Sequence, residues 1–289
     1  MHINMKYYVV SIGAIFIALG IGMLVGFNLN YDQELSKQQA TIIEDLDKKF
    51  ENLKTKNDEL ETALDSSEKN NTQLVEYINS NYEKIIKDEL QDKNIGVITT
   101  SNDYDYSEQV QKTIKDATGN ILFDIVLNDD ITNQTKLKEA SDALNINFKN
   151  SEDVSNYIVD CLKDLNSKTN LEELEKLGII KINSISDNYS NYDEVVIATG
   201  SSKENKEKVK LVDKTIIEKF KQENKYMVAV QKSDVKTSYM EDYKESKIVT
   251  IDNVEEGLGK LSLVTVLKDK TPKGNFGRLE GVGGIIPFK

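Results

Sequence analysis

The sequence is poor in the residue types that carry most catalytic and metal-binding chemistry. It has one histidine (His2), one cysteine (Cys161), two prolines and no tryptophan, and Arg278 is its only arginine. Because His2 precedes the first apolar segment, no Ser-His-Asp triad and no histidine-rich metal site can form in the rest of the chain. A single cysteine excludes an intrachain disulfide, and its apolar neighbours predict that it is buried in a core. We therefore predict a protein that is not an enzyme and that shows no evident cofactor.

The charge of the chain excludes a second class of function. The formal net charge is −12, although 30% of the residues are charged. General binding of nucleic acid requires a basic surface that neutralises phosphates, so we expect no nucleic-acid partner. The first thirty residues carry almost no charge, and the chain is therefore read in segments. The predicted segments are a short cytoplasmic tail (1–6), a transmembrane helix (7–29), a coiled-coil stalk (30–93), an α/β domain (94–271) and a Gly/Pro-rich tail (272–289).

The first apolar segment is long enough to cross a membrane. Residues 7–29 read YYVVSIGAIFIALGIGMLVGFNL and contain no charge. A helix of this length spans about 34 Å, against a hydrocarbon core of about 30 Å. A cleaved signal peptide is the alternative, but its apolar stretch is usually shorter and ends at a small-residue cleavage site. Lys6 precedes the segment and Asp32 and Glu34 follow it, so the positive-inside rule predicts a single-pass protein of the cell membrane with a cytoplasmic N-terminus and an extracytoplasmic C-terminal part.

Small residues form a stripe along this helix at four-residue spacing. They are Ala14, Ala18, Gly22 and Gly26. Gly22 and Gly26 form a GxxxG pair, which allows two helix backbones to approach closely in lipid. Glycine is also common in membrane helices for other reasons, so the motif leaves dimerisation through this stripe open.

A heptad pattern follows the membrane segment for about six repeats without proline or glycine. The predicted core positions are Ile43, Leu46, Phe50, Leu53, Asn57, Leu60, Leu64, Asn71, Leu74, Ile78 and Ile85. Such a pattern is typical of a coiled coil, and asparagine at the first core position favours a parallel, two-stranded one. We therefore predict a parallel homodimer. The alternative is a long helix that packs back on its own domain.

From residue 94 onward, short apolar runs alternate with amphipathic helical segments. The predicted strands are 94–100, 121–127, 193–200, 226–231 and 247–252, and the predicted helices are 106–117, 136–144, 154–165 and 206–222. Alternating strands and helices predict a parallel sheet covered on both faces, a Rossmann-like layered α/β domain. Continuous apolar strands agree with burial on both faces.

The loops of this domain contain no strong ligand motif. Neither a G-x-G-x-x-G nor a Walker sequence follows the first strand. The Gly-Ser-Ser segment 200–202 could hold an anion on its amides, but we favour a turn glycine followed by helix-capping serines. The acidic pairs Asp103/Asp105 and Asp129/Asp130 lack the remainder of a calcium loop, and we expect solvated turn residues. No carboxylate spacing marks a catalytic pair.

The two ends of the chain resemble a known family. YYVVSIGAIFIALGIGMLVG, the coiled coil behind it and KGNFGRLEGVGGIIP near the C-terminus resemble the MctB-like copper transport proteins, which include the division-associated SteB proteins. The family-like tail residues are Gly274, Phe276, Gly277, Gly281, Gly284 and Pro287. The resemblance implies a membrane-anchored extracytoplasmic protein linked to copper homeostasis or, in the SteB branch, to cell-envelope partners that remodel the wall. Copper is implied by the resemblance only, and the sequence identifies no ligand set for it. From composition, we expect the tail to be neither a helix nor an interior strand.

Overall fold

A computed structural model of the protein describes residues 5–270, 273–279, 283–284 and 286–287, with the backbone only for residues 29–34. Two compact units divide the chain, one up to Thr72 and one from Gln73 onward. The first unit is helical wherever it is described. The second contains an α/β domain.

The helix α1 runs from Met5 to Ile86. No proline interrupts it, and its only glycines lie within the apolar N-terminal part. Beyond Ile86 the chain turns, with Asp88 and Asp92 in the left-handed backbone region, before the first strand begins.

The α/β domain is built on a sheet with seven strands in its described part. They are β1 (Asn94–Thr99), β2 (Asn120–Leu127), β3 (Ile180–Ile185), β4 (Glu194–Ala198), β5 (Tyr226–Val230), β6 (Val249–Ile251) and β7 (Asn275–Phe276). Their order across the sheet is β3-β2-β1-β4-β5-β6-β7. All neighbouring strands pair in parallel except β2 and β3, which are antiparallel. The five predicted strands correspond to β1, β2, β4, β5 and β6, and their parallel pairing is confirmed. Strands β3 and β7 were not predicted.

Eight further helices connect the strands of the described chain. They are α2 (Ser107–Asp116), α3 (Gln134–Leu144), α4 (Ser151–Lys163), α5 (Lys168–Lys176), α6 (Lys206–Lys208), α7 (Lys214–Gln222), α8 (Met240–Glu245) and α9 (Gly257–Asp269). A π-helical turn, Val209–Asp213, joins α6 to α7. The four predicted helices are confirmed to within a few residues, whereas α5, α8 and α9 were not predicted.

Successive residues of the strands enter two different cores, one on each face of the sheet. Ile98 of β1 packs in the larger core beneath α4 and α7. Its neighbour Val97 packs in the second core with α2, α9 and the last turns of α1, where Tyr82 and Ile86 are buried. Because side chains alternate across a strand, one apolar run can supply both cores. The end of α1 is therefore part of the α/β domain.

Candidate functional site

The apolar N-terminal part of α1 has the length and composition of a membrane span. Within the described residues it is the single helix of this kind, from Met5 to Asn28, with a mean hydropathy of 2.5. The predicted packing stripe Ala14, Ala18, Gly22 and Gly26 lies on this segment, and open space surrounds both glycines of the GxxxG pair.

The predicted heptad positions form a row on α1, which we call the seam. From Ile43 to Leu74 every seam residue is exposed, including Asn57 and Asn71. Phe50 is 70% exposed and Leu60 is 68% exposed. These side chains leave a row of exposed apolar surface along α1, and surfaces of this kind are found at protein–protein interaction sites.

The exposure of the seam residues decreases where the last turns of α1 pack on the α/β domain. Ile78 is half-buried, and its Cγ2 atom lies close to Gly257 at the start of α9. Its neighbour Asn79 accepts a hydrogen bond from the Gly257 amide at 2.7 Å through Oδ1. Ile85, at the last seam position, is still 46% exposed. The last turns of α1 therefore present one face to the domain core and another to solvent.

A second group of polar residues gathers at the carboxyl ends of β1 and β4. The strand order reverses between these two strands, and such a reversal opens a crevice in parallel sheets. Here the crevice is filled by the chain itself, since the cavity left between Thr100, Gly200 and Asp213 measures about 10 Å³. That volume holds no more than one water molecule.

The Asp103 carboxylate lies beside this crevice and is exposed, as expected of a solvated turn residue. It accepts hydrogen bonds from the Ser101 and Ser201 hydroxyls and, at 3.2 Å, from the Ser202 amide. Burial opposes the charge on Asp103, but these hydrogen bonds lower the pKa of its carboxyl group overall. The donors of segment 200–202 therefore bind a carboxylate of the chain itself. The expectation of helix-capping serines was wrong, because Asn205 caps the following helix by accepting from the Lys208 amide.

Two buried charges, Lys208 and Asp213, lie on the other side of the crevice. The Lys208 ammonium donates to the Leu127 carbonyl at 3.0 Å and to the Asp129 carboxylate at 2.9 Å. The Asp213 carboxylate accepts from the Tyr243 hydroxyl at 2.7 Å, and burial raises the pKa of Asp213 to about 7. Its Oδ1 atom has no partner in the described part of the chain.

Sequence reasoning missed Lys208 and Asp213, although a signal was present. Asp213 lies four residues after Val209 and three before Ile216, which places it on the apolar face of the predicted helix 206–222. A charged residue on the core face of an amphipathic helix indicates a buried polar contact.

The family-like tail is anchored to the end of β6 by one carboxylate. Asp252 accepts hydrogen bonds from the amides of Arg278 at 2.6 Å and Leu279 at 3.0 Å. Gly277 has a φ of +130°, and a side chain there would place its Cβ 2.0 Å from the Asp252 carboxylate. The Arg278 guanidinium donates to Glu256 through Nε and Nη2. Within the motif Gly-Arg-Leu, the amides of Arg278 and Leu279 thus bind Asp252, and the contact leaves no room for a side chain at Gly277.

The other tail residues extend this contact. Asn275 and Phe276 form the edge strand β7, and the Gly277 amide donates to the Gly284 carbonyl at 3.0 Å. Gly274 precedes β7 and Pro287 is half-buried, whereas Gly281 lies outside the described residues. We expected neither helix nor interior strand, and the edge strand agrees with this.

A scan of the sequence against protein families gives a match over residues 2–287 to the family described as copper transport outer membrane protein, MctB. The chain belongs to the MctB family. No curated protein matches it closely enough to count as a relative. The expected resemblance is thereby confirmed over nearly the whole sequence.

Because MctB is described as a copper transport protein, we located the side chains of this chain that could bind copper(I). Copper(I) prefers thiolate, thioether and imidazole ligands. Cys161 is 1% exposed, and burial raises the pKa of its thiol to about 11, so that the thiol stays protonated at neutral pH. Met227 and Met240 are also buried, and His2 lies outside the described residues. Within the described ranges, no three His, Cys, Asp or Glu side chains lie together as a metal site would require.

Proposed function

We propose that this MctB-family chain is a non-enzymatic, single-pass membrane protein that acts in copper homeostasis as a parallel homodimer. The family match supports the role in copper homeostasis. The observation that carries the parallel dimer is the exposed apolar seam of α1, which lies in the same helix as the candidate membrane span. A membrane anchor at one end of a helix requires a partner copy to lie parallel. The occupant of the seam is therefore a second copy of α1.

The side chains of the seam support this choice of partner. Burying a leucine or phenylalanine completely stabilises an assembly by roughly 1.5–3 kcal/mol, so the apolar seam residues between Ile43 and Leu74 together can outweigh the cost of association. Asn57 and Asn71 are exposed at first core positions, where asparagine sets the register of two parallel strands. The GxxxG pair lies in the same helix, where it would let the two membrane spans approach.

We also propose that the α/β domain, which we call the head, is a variant of the Rossmann-like fold that binds no nucleotide. The order β3-β2-β1-β4-β5-β6 with its reversal between β1 and β4 supports this assignment, and β3 departs from it by running antiparallel. The filled crevice supports a structural role for the domain, because Asp103 occupies the donors that a phosphate group would need. In this proposal the head lies on the extracytoplasmic side, as the charges flanking residues 7–29 favour.

We propose that the role in copper homeostasis is indirect, meaning that the chain neither binds copper(I) stoichiometrically nor conducts it across the bilayer. Cys161 is buried and protonated, and one apolar helix per chain offers no polar path across a bilayer. An anaerobic copper(I) titration of the full chain against a competing chelator tests this part. We expect no stoichiometric binding. Stoichiometric binding that is lost in Cys161→Ser or Met240→Leu would refute the indirect role.

The dimer is tested by the mass of the full chain in detergent, measured by light scattering after size exclusion. We expect two chains per particle for the wild type and one for the double variant Leu53→Asp, Leu60→Asp, since a charge at a buried core position is strongly unfavourable. Thr62→Asp lies on the opposite side of the same heptad and serves as the matched control, which should remain dimeric. A wild-type particle of one chain contradicts the proposal.

A cell-envelope scaffold is the alternative function, and the long exposed α1 favours it specifically. In this alternative the paired helices engage a partner that remodels the cell wall or acts in division. The two functions differ in phenotype. Disrupting the seam should change cell shape without changing copper tolerance if the scaffold function is correct, and should change copper tolerance if homeostasis is the role.

A further inference from the structure

An open cavity of about 370 Å³ lies in the second unit, at the carboxyl ends of β5 and β6. We call it the Tyr82 cavity. Its walls include Tyr82 from the end of α1, Gln109 and Lys112 from α2, and Lys260 from α9. The volume lies within the range of small-molecule sites, unlike the filled crevice between β1 and β4.

The Lys260 ammonium has no hydrogen-bond acceptor within the described part of the chain. It lies 4.1 Å from the centroid of the Tyr82 ring and forms no ion pair within the described residues. The other cavity lysines are paired, Lys112 with Asp116 at 2.7 Å and Lys232 with Asp234 at 3.2 Å. Burial and then the charge of Lys112 lower the pKa of Lys260. The charges of Asp116, Glu83 and Glu255 partly offset both effects, and an anionic group beside Lys260 would offset them further.

Carboxylates form another part of the wall. Glu255 accepts from the Ser233 amide at 3.1 Å, and Asp234 accepts from the Tyr104 hydroxyl. Each carboxylate has about four acceptor positions, so both retain capacity for a further donor. They would also repel a ligand with two or more negative charges. The cavity therefore offers a cation for one anionic group and carboxylates for a hydrogen-bond donor.

We propose that the Tyr82 cavity binds a small zwitterion of the amino-acid class, with its carboxylate on Lys260 and its ammonium toward Glu255 and Asp234. This binding does not depend on the proposed dimer or on copper. It would make the head domain a sensor or carrier surface for a small polar molecule.

Isothermal titration calorimetry of the full chain in detergent tests this site with three probes: glycine, acetate and inorganic phosphate. We expect saturable binding of glycine that is tighter than that of acetate, with phosphate weakest because of the wall carboxylates. Lys260→Gln should weaken glycine binding by about tenfold or more, as expected for loss of a charge-assisted hydrogen bond. Glu255→Gln should weaken the binding of glycine but not that of acetate.

Lys268→Gln is the matched control. Lys268 lies on the same helix, is half-exposed and pairs with Glu89 outside the cavity. This variant should bind glycine as the wild type does, and Lys260→Gln should keep the wild-type unfolding midpoint. Absence of saturable heat with glycine, equal binding by Lys260→Gln and wild type, or tighter binding of phosphate than of glycine would each overturn the proposal.

Discussion

The contact between Asp252 and the tail gives the sharpest prediction. In Asp252→Asn, one of the two carboxylate oxygens that accept from the Arg278 and Leu279 amides becomes an NH2 group. A hydrogen bond to a charged group contributes about 1.5–3 kcal/mol, so losing one such bond should weaken docking of the tail by about 2 kcal/mol. That free energy corresponds to a change of roughly 30-fold in the opening equilibrium.

Amide hydrogen exchange of the full chain measures this opening directly. The Arg278 and Leu279 amides should exchange about 30-fold faster in Asp252→Asn than in the wild type, since exchange follows local opening. The Asp252 amide, which donates to the Phe276 carbonyl at 3.1 Å, should accelerate with them. Strands β1 and β4 should be unaffected.

Asp187→Asn is the control for this experiment, because Asp187 lies in an exposed turn after β3. Like Asp252→Asn, it removes one negative charge from the chain, but at a position that does not contact the tail. If the Arg278 and Leu279 amides exchange at the wild-type rate in Asp252→Asn, the anchoring role of Asp252 is refuted.

Three further predictions concern the interior of the α/β domain. Burial raises the pKa of Asp213 to about 7, so the folded state favours its protonated form, and stability should fall by about 2–4 kcal/mol between pH 4 and pH 7. Asp213→Asn should flatten this part of the stability profile in urea unfolding, and an unchanged slope would contradict burial of the carboxyl group. Gly96→Ala should lower the free energy of unfolding by about 1–3 kcal/mol, because the new Cβ would lie 2.1 Å from the Phe123 ring; wild-type stability would refute this contact. Cys161 should react with a thiol reagent only after unfolding, since burial raises the pKa of its thiol to about 11; rapid labelling of the native chain would refute its burial.

The sequence predicted the centre of the sheet well, and physical reasons explain where it failed at the edges. Strands such as β4, Glu194–Ala198, are continuous apolar runs because both faces are buried. The edge strand β3 reads IKINSI and is half-exposed, so its apolar signal is diluted by polar residues. The helix α9 reads GLGKLSLVTVLKD and is buried on most sides, which removes the periodicity that marks an amphipathic helix.

The candidate sites were harder to predict than the fold. Asp252 ends a predicted strand and has no local feature that points to Arg278, because their contact joins residues far apart in sequence. Lys208 and Asp213 lie in a helical segment that was predicted correctly, but their buried polar contacts were not predicted. Burial of Cys161 was confirmed, because its apolar neighbours carried that information locally. The heptad seam remains a prediction of pairing, since its partner would be another chain.

Cysteine cross-linking along α1 tests the central claim, the parallel pairing of two seams, most directly. In a Cys161→Ser background reconstituted in bilayers, a single cysteine is placed either at Leu60, on the seam, or at Thr62, on the opposite side of the helix. In a parallel pair the two copies of residue 60 face each other, so mild oxidation of Leu60→Cys should give a covalent dimer and oxidation of Thr62→Cys should not. Equal cross-linking of both variants, or none at residue 60, would contradict the account.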